Sequence, residues 1–321
     1  MTTMMALRAH LRGGPAVLVY EAAQRPEPGP GEVLIEVHAA GITFAELTWD
    51  RTWWRHEVER APLIPSHEVS GVVVELGPGV SDFQVGDLVC GLIRFDYDGA
   101  AAEYVVAPAT DLAAKPVTVS HAAAAALPLA ALTAWQALVV HARLHRGDRV
   151  LVHGGAGGVG SFAVQLAAQL GGHVTTTARG TDADLARSLG ADRVLEVGGE
   201  QAEPLGFDVV LDTVGGAVLN SSYALVRPGG RLITLPSPPS QHRAAELAIE
   251  ATSFVVIPDR FELSRLARLV DRRELRVLIA ATFPLHQGRD AYDSGNAAGR
   301  RPGKTVLQVI RDGVELADPV E

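Results

Sequence analysis

The chain has 321 residues, a length for two domains at roughly 100 to 200 residues each, and a single cysteine, Cys90, which rules out a disulfide scaffold and a cysteine-based metal cage. Hydrophobic residues make up 47% and charged residues 20%, which fits a globular chain with a sizeable core and excludes a disordered or collagen-like one. Against 28 Lys and Arg stand 37 Asp and Glu, a net charge of −9 at pH 7 without any long basic run, which argues against nucleic acid as a partner.

At the N-terminus, MTTMMALRAHLRGGPAVLVYE interrupts its apolar residues with charge and glycine, so no signal peptide is expected. From Ala16 to about Pro116 short β-rich runs alternate with turn residues: VLVYE, EVLIEVHAAG, GVVVELGPG, VGDLVCGL and AEYVVA. Val33, Ile35 and Val37 alternate with Glu32, Glu36 and His38, the period of a strand with one wet face. A mostly β first domain, barrel or sandwich, follows. Around Ser120 the texture turns helical, with Ala122 to Leu127 and Ala131 to Val140. The most apolar stretch, His121 to Trp135, is Ala-rich, holds Pro128 and is shorter than the roughly 20 residues that cross a bilayer, so no membrane span is expected. A reducing, cytoplasmic setting is expected. Only two of the 28 basic residues are lysines, Lys115 and Lys304, a usage attributed to genomic base composition.

From Arg149 the βαβ rhythm sets in. Strands are predicted at Arg149 to His153, His173 to Thr177, from Asp192, at Phe207 to Asp212 and at Arg231 to Leu235, with helices at Val159 to Leu170 and around Leu185 to Leu189. The near-continuous apolar strands suit a parallel sheet covered on both faces, and the crossover rule then leaves a doubly wound α/β sheet. Ser253 to Ile257 is predicted to close the sheet, followed by an amphipathic helix from Phe261 to Arg272 and a strand at Thr305 to Ile310.

The first of these strands runs into GGAGGVG, in which Gly155, Gly157 and Gly160 satisfy G-x-G-x-x-G. Such glycines serve a tight turn, the approach of backbone to pyrophosphate and the packing of helix on strand, while the helix N-terminus offers its N–H groups to the phosphates. With strand, helix and βαβ series all present, the segment predicts dinucleotide binding. The second strand ends in TTTAR without a carboxylate for the ribose, and Arg179 is a forked cation suited to a 2′-phosphate, so NADPH is favoured over NADH despite the nearby Asp182 and Asp184.

These motifs, with PGEVLIEVHAAGIT, PSHEVSGVVVELGPGV, ALPLAALTAWQAL, LGAD, FDVVLDTVGG and RPGGRL, resemble the medium-chain dehydrogenase/reductase superfamily, in its zinc-independent quinone oxidoreductase-like branch, over nearly the whole chain. The resemblance implies a GroES-like, mostly β catalytic domain in residues 1–118, a Rossmann domain in 119–257 and a return to the catalytic domain in 258–321. It implies an active site in the cleft between them and a homodimer through the nucleotide-domain sheet edge, here Ser253 to Ile257. It places Thr133 near the nicotinamide, Gly157, Gly158 and Val159 at the pyrophosphate, and Val214 and Leu235 along the cofactor groove. The family's grips on the 2′-phosphate, a lysine and a tyrosine, correspond to Asp182 and Val197, which leaves Arg179 most of the discrimination. Zinc-dependent members carry three ligands where this chain has Thr43, His67 and Leu129, and one ligand of three does not hold a catalytic zinc. His67-Glu68 is then a structural remnant.

Hydride transfer from NADPH to a quinone or α,β-unsaturated carbonyl needs no zinc. In the loop ITFAELTWDRTWWRHE, Thr43 is a candidate hydrogen-bond donor and Glu46 a candidate for proton transfer, and Tyr97 is a candidate phenolic donor; strand-end, solvated and loop roles stand as their alternatives. Trp49, Trp53 and Trp54 are three of the four tryptophans in a chain with 5% aromatics. They form either an apolar lid on a flat substrate or packing under a long loop. A pathway-specific enoyl reductase and a non-catalytic NADPH-binding protein remain as alternatives.

Overall fold

The computed structural model describes residues 2–55, 57–198 and 206–310. Two compact units divide the chain: Met1–Leu129 with Pro258–Arg272 and Ile279–Glu321, and Ala130–Ile257 with Arg273–Leu278. The last eleven positions of the predicted 258–321 segment, 311–321, lie outside the described residues, as does His56 of the tryptophan loop.

The first unit opens with β1 (Thr3–Ala9), antiparallel to β2 (Leu18–Gln24). There follow β3 (Glu32–Gly41), α1 (Asp50–Trp53), the short pair β4 (Trp54–Arg55) and β5 (Val58–Glu59), β6 (Glu68–Leu76), β7 (Leu88–Leu92), β8 (Tyr104–Pro108) and β9 (Leu112–Ala114). β3 lies at the centre, antiparallel to β6 and β8. Val33, Ile35 and Val37 are buried while Glu32, Glu36 and His38 are half-buried, the alternation its sequence predicts. α2 (His121–Ala125) follows, its N-terminus capped by the Ser120 hydroxyl, which accepts from Ala123 N.

After α3 (Pro128–Trp135), the second unit runs β10 (Arg149–His153), α4 (Gly158–Gln169), β11 (His173–Ala178), α5 (Ala183–Ser188), β12 (Arg193–Glu196), β13 (Phe207–Asp212), α6 (Ala217–Ser222), β14 (Val226–Thr234), α7 (Gln241–Glu246) and β15 (Glu250–Ser253). The six strands are parallel in the order β12-β11-β10-β13-β14-β15. Chain order therefore reverses between β10 and β13, and in open α/β sheets ligands bind outside the carboxyl ends of the strands at that point. The central residues of β10 and β13, from Val150 to Val152 and Val209 to Leu211, are fully buried, as apolar parallel strands must be.

One strand departs from its predicted place. The sheet closes with Glu250–Ser253, not with Ser253 to Ile257, because the register on β14 ends where Thr234 meets Ser253. Beyond that point Phe254 stacks on His141 at 4.1 Å, and the Gln136 side chain holds the Ile257 backbone, donating to its O at 2.9 Å and accepting from its N at 3.0 Å, while the Val255 and Ile257 side chains are exposed. The edge strand is thus the polar EATS, a composition that discourages indiscriminate pairing.

The chain then returns to the first unit. α8 (Arg260–Asp271) is capped by the Asp259 carboxylate and buries Leu263, Leu266, Ala267 and Val270 on one face. β16 (Ile279–Pro284) and α9 (Gly288–Asp293) precede β17 (Lys304–Gln308), which pairs parallel to β16 and antiparallel to β3, completing a seven-stranded sheet. Among the described residues no helix is long and apolar enough to cross a membrane.

Candidate active site

Residues 154–157 make the turn between β10 and α4. The left-handed residue is Gly154, with φ +78°, one position before the G-x-G-x-x-G motif. Gly155 is needed for proximity instead, since a Cβ there would lie 2.0 Å from Thr176 Oγ1 of β11; at Gly160 it would lie 2.0 Å from Gly154 O. Gly157 precedes α4, and Ser161 N bonds back to its carbonyl at 3.1 Å, which leaves the amides of Gly158, Val159 and Gly160 as donors at the positive end of the helix. Side contacts hold the turn: Gly154 N donates to Thr177 Oγ1 at 3.0 Å, and Gly155 N to Thr177 O at 3.0 Å.

The loop after β13 is pinned from within. The buried Asp212 carboxylate accepts from Val214 N at 2.9 Å and from Gly215 N at 2.9 and 3.1 Å, while Leu235 N donates to Asp212 O at 3.0 Å. Gly155, Gly157, Gly158, Val159, Gly160, Val214 and Leu235 therefore share the carboxyl ends of β10, β13 and β14, with Val214 51% exposed. Thr133 is buried on α3. His153, the last residue of β10, is buried with Nε2 lacking a hydrogen-bond partner among the described residues, and burial lowers its pKa, with Asp212 pulling the other way.

Arg179 follows β11, but its guanidinium is engaged. Nε and Nη2 each meet Asp182 Oδ2 at 2.7 Å, with the arginine side chain 48% exposed and the aspartate nearly buried. The cation that the sequence assigns to a 2′-phosphate is thus matched by a carboxylate three residues on.

In the first unit the turn before β6 gathers a buried polar cluster. Successive residues of an extended chain face opposite ways, so His67 and Glu68 serve two different groups. Glu46 is 2% exposed and accepts four hydrogen bonds, from Thr43 N at 3.2 Å, Ser66 N at 3.1 Å, His67 Nδ1 at 3.0 Å and the Tyr292 hydroxyl. Burial, and then the Glu46 charge, push the Tyr292 phenol well above its usual pKa. Ser66 is held left-handed at φ +70°, a strained conformation fixed by its bonds to Glu46 and Tyr292. Glu68 is wholly buried, accepts from Leu129 N at 3.0 Å and pairs with Lys304. Burial raises its pKa, opposed by Lys304. Lys304 also donates to Ile42 O at 2.9 Å and Thr43 Oγ1 at 3.3 Å.

The sequence-derived catalytic candidates separate accordingly. Thr43 is half-buried beside the cluster, whereas the two Glu46 oxygens are already filled by donors and the Tyr97 hydroxyl donates to Glu32 at 3.0 Å. The tryptophans part as well. Trp53 is 1% exposed with its indole N–H on Leu47 O at 2.8 Å, Trp54 is 47% exposed on β4, and Trp49 meets Phe95 edge-on at 5.5 Å. Phe95 in turn lies 5.2 Å from the His67 ring, whose buried Nε2 has no hydrogen-bond partner among the described residues. Phe95, Tyr292 and Lys304 went unread in the sequence; only the scarcity of lysine set Lys304 apart.

Two family models match: the alcohol dehydrogenase GroES-like domain over residues 29–117 and the zinc-binding dehydrogenase domain over residues 189–307. A chloroplastic quinone-oxidoreductase homolog of Spinacia oleracea is 32% identical over 92% of this chain and 95% of its own. Among solved structures, the quinone oxidoreductase from Coxiella burnetii is 30% identical with a TM-score of 0.87, covering 96% of this chain and all (100%) of its own. A mycobacterial protein solved in complex with NADPH is also 30% identical, with a TM-score of 0.84 over 95% of this chain and 100% of its own.

The name of the second family model raises the question of zinc, and the donors do not fit it. Thr43, His67 and Leu129 supply one strong ligand, Glu68 is committed to an ammonium, and among the described residues no group of three or more His, Cys, Asp or Glu is placed to hold a metal. Fold, glycine turn and relatives agree over almost the full length, and the chain belongs to the medium-chain dehydrogenase/reductase superfamily, in its quinone oxidoreductase-like branch, as an oxidoreductase.

Proposed function

We propose that the protein transfers hydride from NADPH to a quinone or another α,β-unsaturated carbonyl without zinc. The observation that carries this reading is the glycine turn and the Asp212-pinned loop meeting at the reversal point of the parallel sheet. The reduced nicotinamide supplies the hydride when bound. The chain binds and orients it: the α4 amides take the pyrophosphate, Val214 and Leu235 line the groove, Thr133 serves the nicotinamide end and Arg179 the adenosine ribose. NADPH over NADH rests on Arg179 and on the absence of a carboxylate in the Thr175-Thr-Thr-Ala178 strand end.

For the acceptor, Thr43 is the hydrogen-bond donor to the carbonyl oxygen, and Trp49 with Phe95 offers apolar ring surface to a flat molecule. Glu46 and Tyr97 act as positioning groups, and Trp53 anchors the loop. The reading includes a homodimer built on the outer edge of β15, which has no strand neighbour among the described residues, with light scattering as its check. It also includes a cytoplasmic setting, consistent with a sole cysteine that is buried and whose thiol burial pushes up to about 12.

The test is steady-state oxidation of NADPH and NADH by chelator-treated protein against ortho- and para-quinones and linear and cyclic enones. Turnover of several acceptors with NADPH is expected. Turnover of one enone alone favours the pathway-specific enoyl reductase, and tight NADPH binding with no turnover overturns the reading in favour of a non-catalytic binder.

A further inference from the structure

Lys304 is one of two lysines among 28 basic residues, and it is 7% exposed. An ammonium has three donors and no acceptor. Here the ammonium is ion-paired with the Glu68 carboxylate and donates to Ile42 O at 2.9 Å and to Thr43 Oγ1 at 3.3 Å, three contacts that hold the head group in place. Glu68 is itself fixed by Leu129 N, and Gly41 leaves it room, since a Cβ there would come within 2.9 Å of Glu68 Oε2.

The consequence falls on Thr43. A hydroxyl carries one donor and two acceptor lone pairs, and a hydroxyl that accepts from an ammonium must send its own proton elsewhere. The residue's backbone is pinned too, by Thr43 N on Glu46 Oε1. Thr43 is half-buried beside neighbours that are closed to solvent.

We propose that Lys304 is a positioning residue for the reaction: it fixes the Thr43 hydroxyl as a donor directed at the acceptor's carbonyl oxygen and makes that donor more acidic. This rests on the reductase reading above and deepens it. In the step served, hydride brings two electrons to the β-carbon of the conjugated acceptor, the C=C pair shifts toward the carbonyl, and the carbonyl π pair becomes a lone pair on oxygen. The Thr43 O–H bonds to that oxygen and keeps its proton, and water supplies the proton that completes the product. A donor backed by a buried cation strengthens as charge develops, so it lowers the barrier more than it tightens the ground state.

A cycle of variants tests the coupling. Lys304→Met is made together with Glu68→Gln, so that no buried carboxylate is left without its partner, and Thr43→Val is made alone and on that background. Each arm is expected to lower kcat about 10²-fold, the scale of one lost oxyanion donor, with NADPH affinity by fluorescence titration unchanged. The triple variant is expected to lose little more than either arm, because both remove one device. Losses that multiply, or wild-type kcat in the Lys304→Met/Glu68→Gln protein, overturn the proposal. If the paired variant does not fold, Lys304→Arg replaces it: it should lower kcat in the Thr43 protein and leave the Thr43→Val protein unchanged, and equal effects in both overturn the proposal. A wild-type protein that turns over no quinone or enone removes the reductase reading itself, whereas multiplying losses in an active enzyme remove only the role of Lys304.

Discussion

Between residues 154 and 160 glycines leave out side chains so that the turn can close on its own backbone and against Thr176; around Glu46 and Glu68 the chain packs carboxylates, a lysine, a histidine and a tyrosine into space nearly closed to water. The first region depends on volume and the second on matched donors and acceptors. One fails when an atom is added, the other when a partner is taken away. The contrast sets the order of the expected effects.

The largest belongs to Glu46. Glu46→Ala leaves Thr43 N, Ser66 N, His67 Nδ1 and the Tyr292 hydroxyl without their shared acceptor. At about 1–3 kcal/mol for each buried unsatisfied group, the loss is expected to reach about 4 kcal/mol or more in urea denaturation. Glu46→Gln, which keeps one acceptor oxygen, should lose less. A Glu46→Ala protein as stable as the wild type would mean that the cluster is not what holds this loop.

Next comes the glycine turn. Gly160→Ala places its Cβ 2.0 Å from Gly154 O and should weaken NADPH binding about tenfold or more, while Gly157→Ala, whose Cβ meets the same oxygen at 3.1 Å, should weaken it less. Equal losses in a fluorescence titration would show that close packing does not rank these positions. A smaller change is expected at the ribose end. Asp182→Asn releases the Arg179 guanidinium from its carboxylate and should raise the preference for NADPH over NADH roughly threefold to tenfold, the scale of a half-exposed ion pair, and Arg179→Ala should lower it. An unchanged ratio in both variants would remove Arg179 from cofactor selection.

What the sequence made readable follows the same division. β10 and β13 occupy their predicted residues because a strand buried on both faces must be an apolar run, and the glycine turn could be found because its chemistry is local. Ser253 to Ile257 misled because edge pairing is set by register on β14 and not by apolar content. β1, carried by TMMALRA before the first predicted strand, is defined by its partner β2. The polar cluster was out of reach for a similar reason: Tyr292 lies 246 positions from Glu46, and Lys304 lies 261 from Thr43. A sequence displays a carboxylate; it does not display the four donors that occupy it. Glu46 therefore read as a proton-transfer group and Lys304 as incidental.

The smallest effect concerns His153, the titratable group at the start of the region built by subtraction. Burial holds its pKa below the ordinary 6.5, Nε2 is closed in without a hydrogen-bond partner among the described residues, and Nδ1 lies 3.4 Å from Thr177 Oγ1, the atom that accepts from Gly154 N. In the unfolded chain the ring takes its proton near its ordinary value, while in the folded protein it takes it only at lower pH. As pH falls through that interval the unfolded state binds more protons, so the stabilising contribution is full above the unfolded pKa and is lost as pH falls through the folded one. His153→Gln removes this titration and leaves the other groups in place, including His141, whose pKa burial also lowers. The stability gap between wild type and His153→Gln should therefore shrink between about pH 7.5 and about pH 5.5. Thermal melts across that range measure it, and a constant gap would mean that the buried ring beside the glycine turn can be charged at no cost.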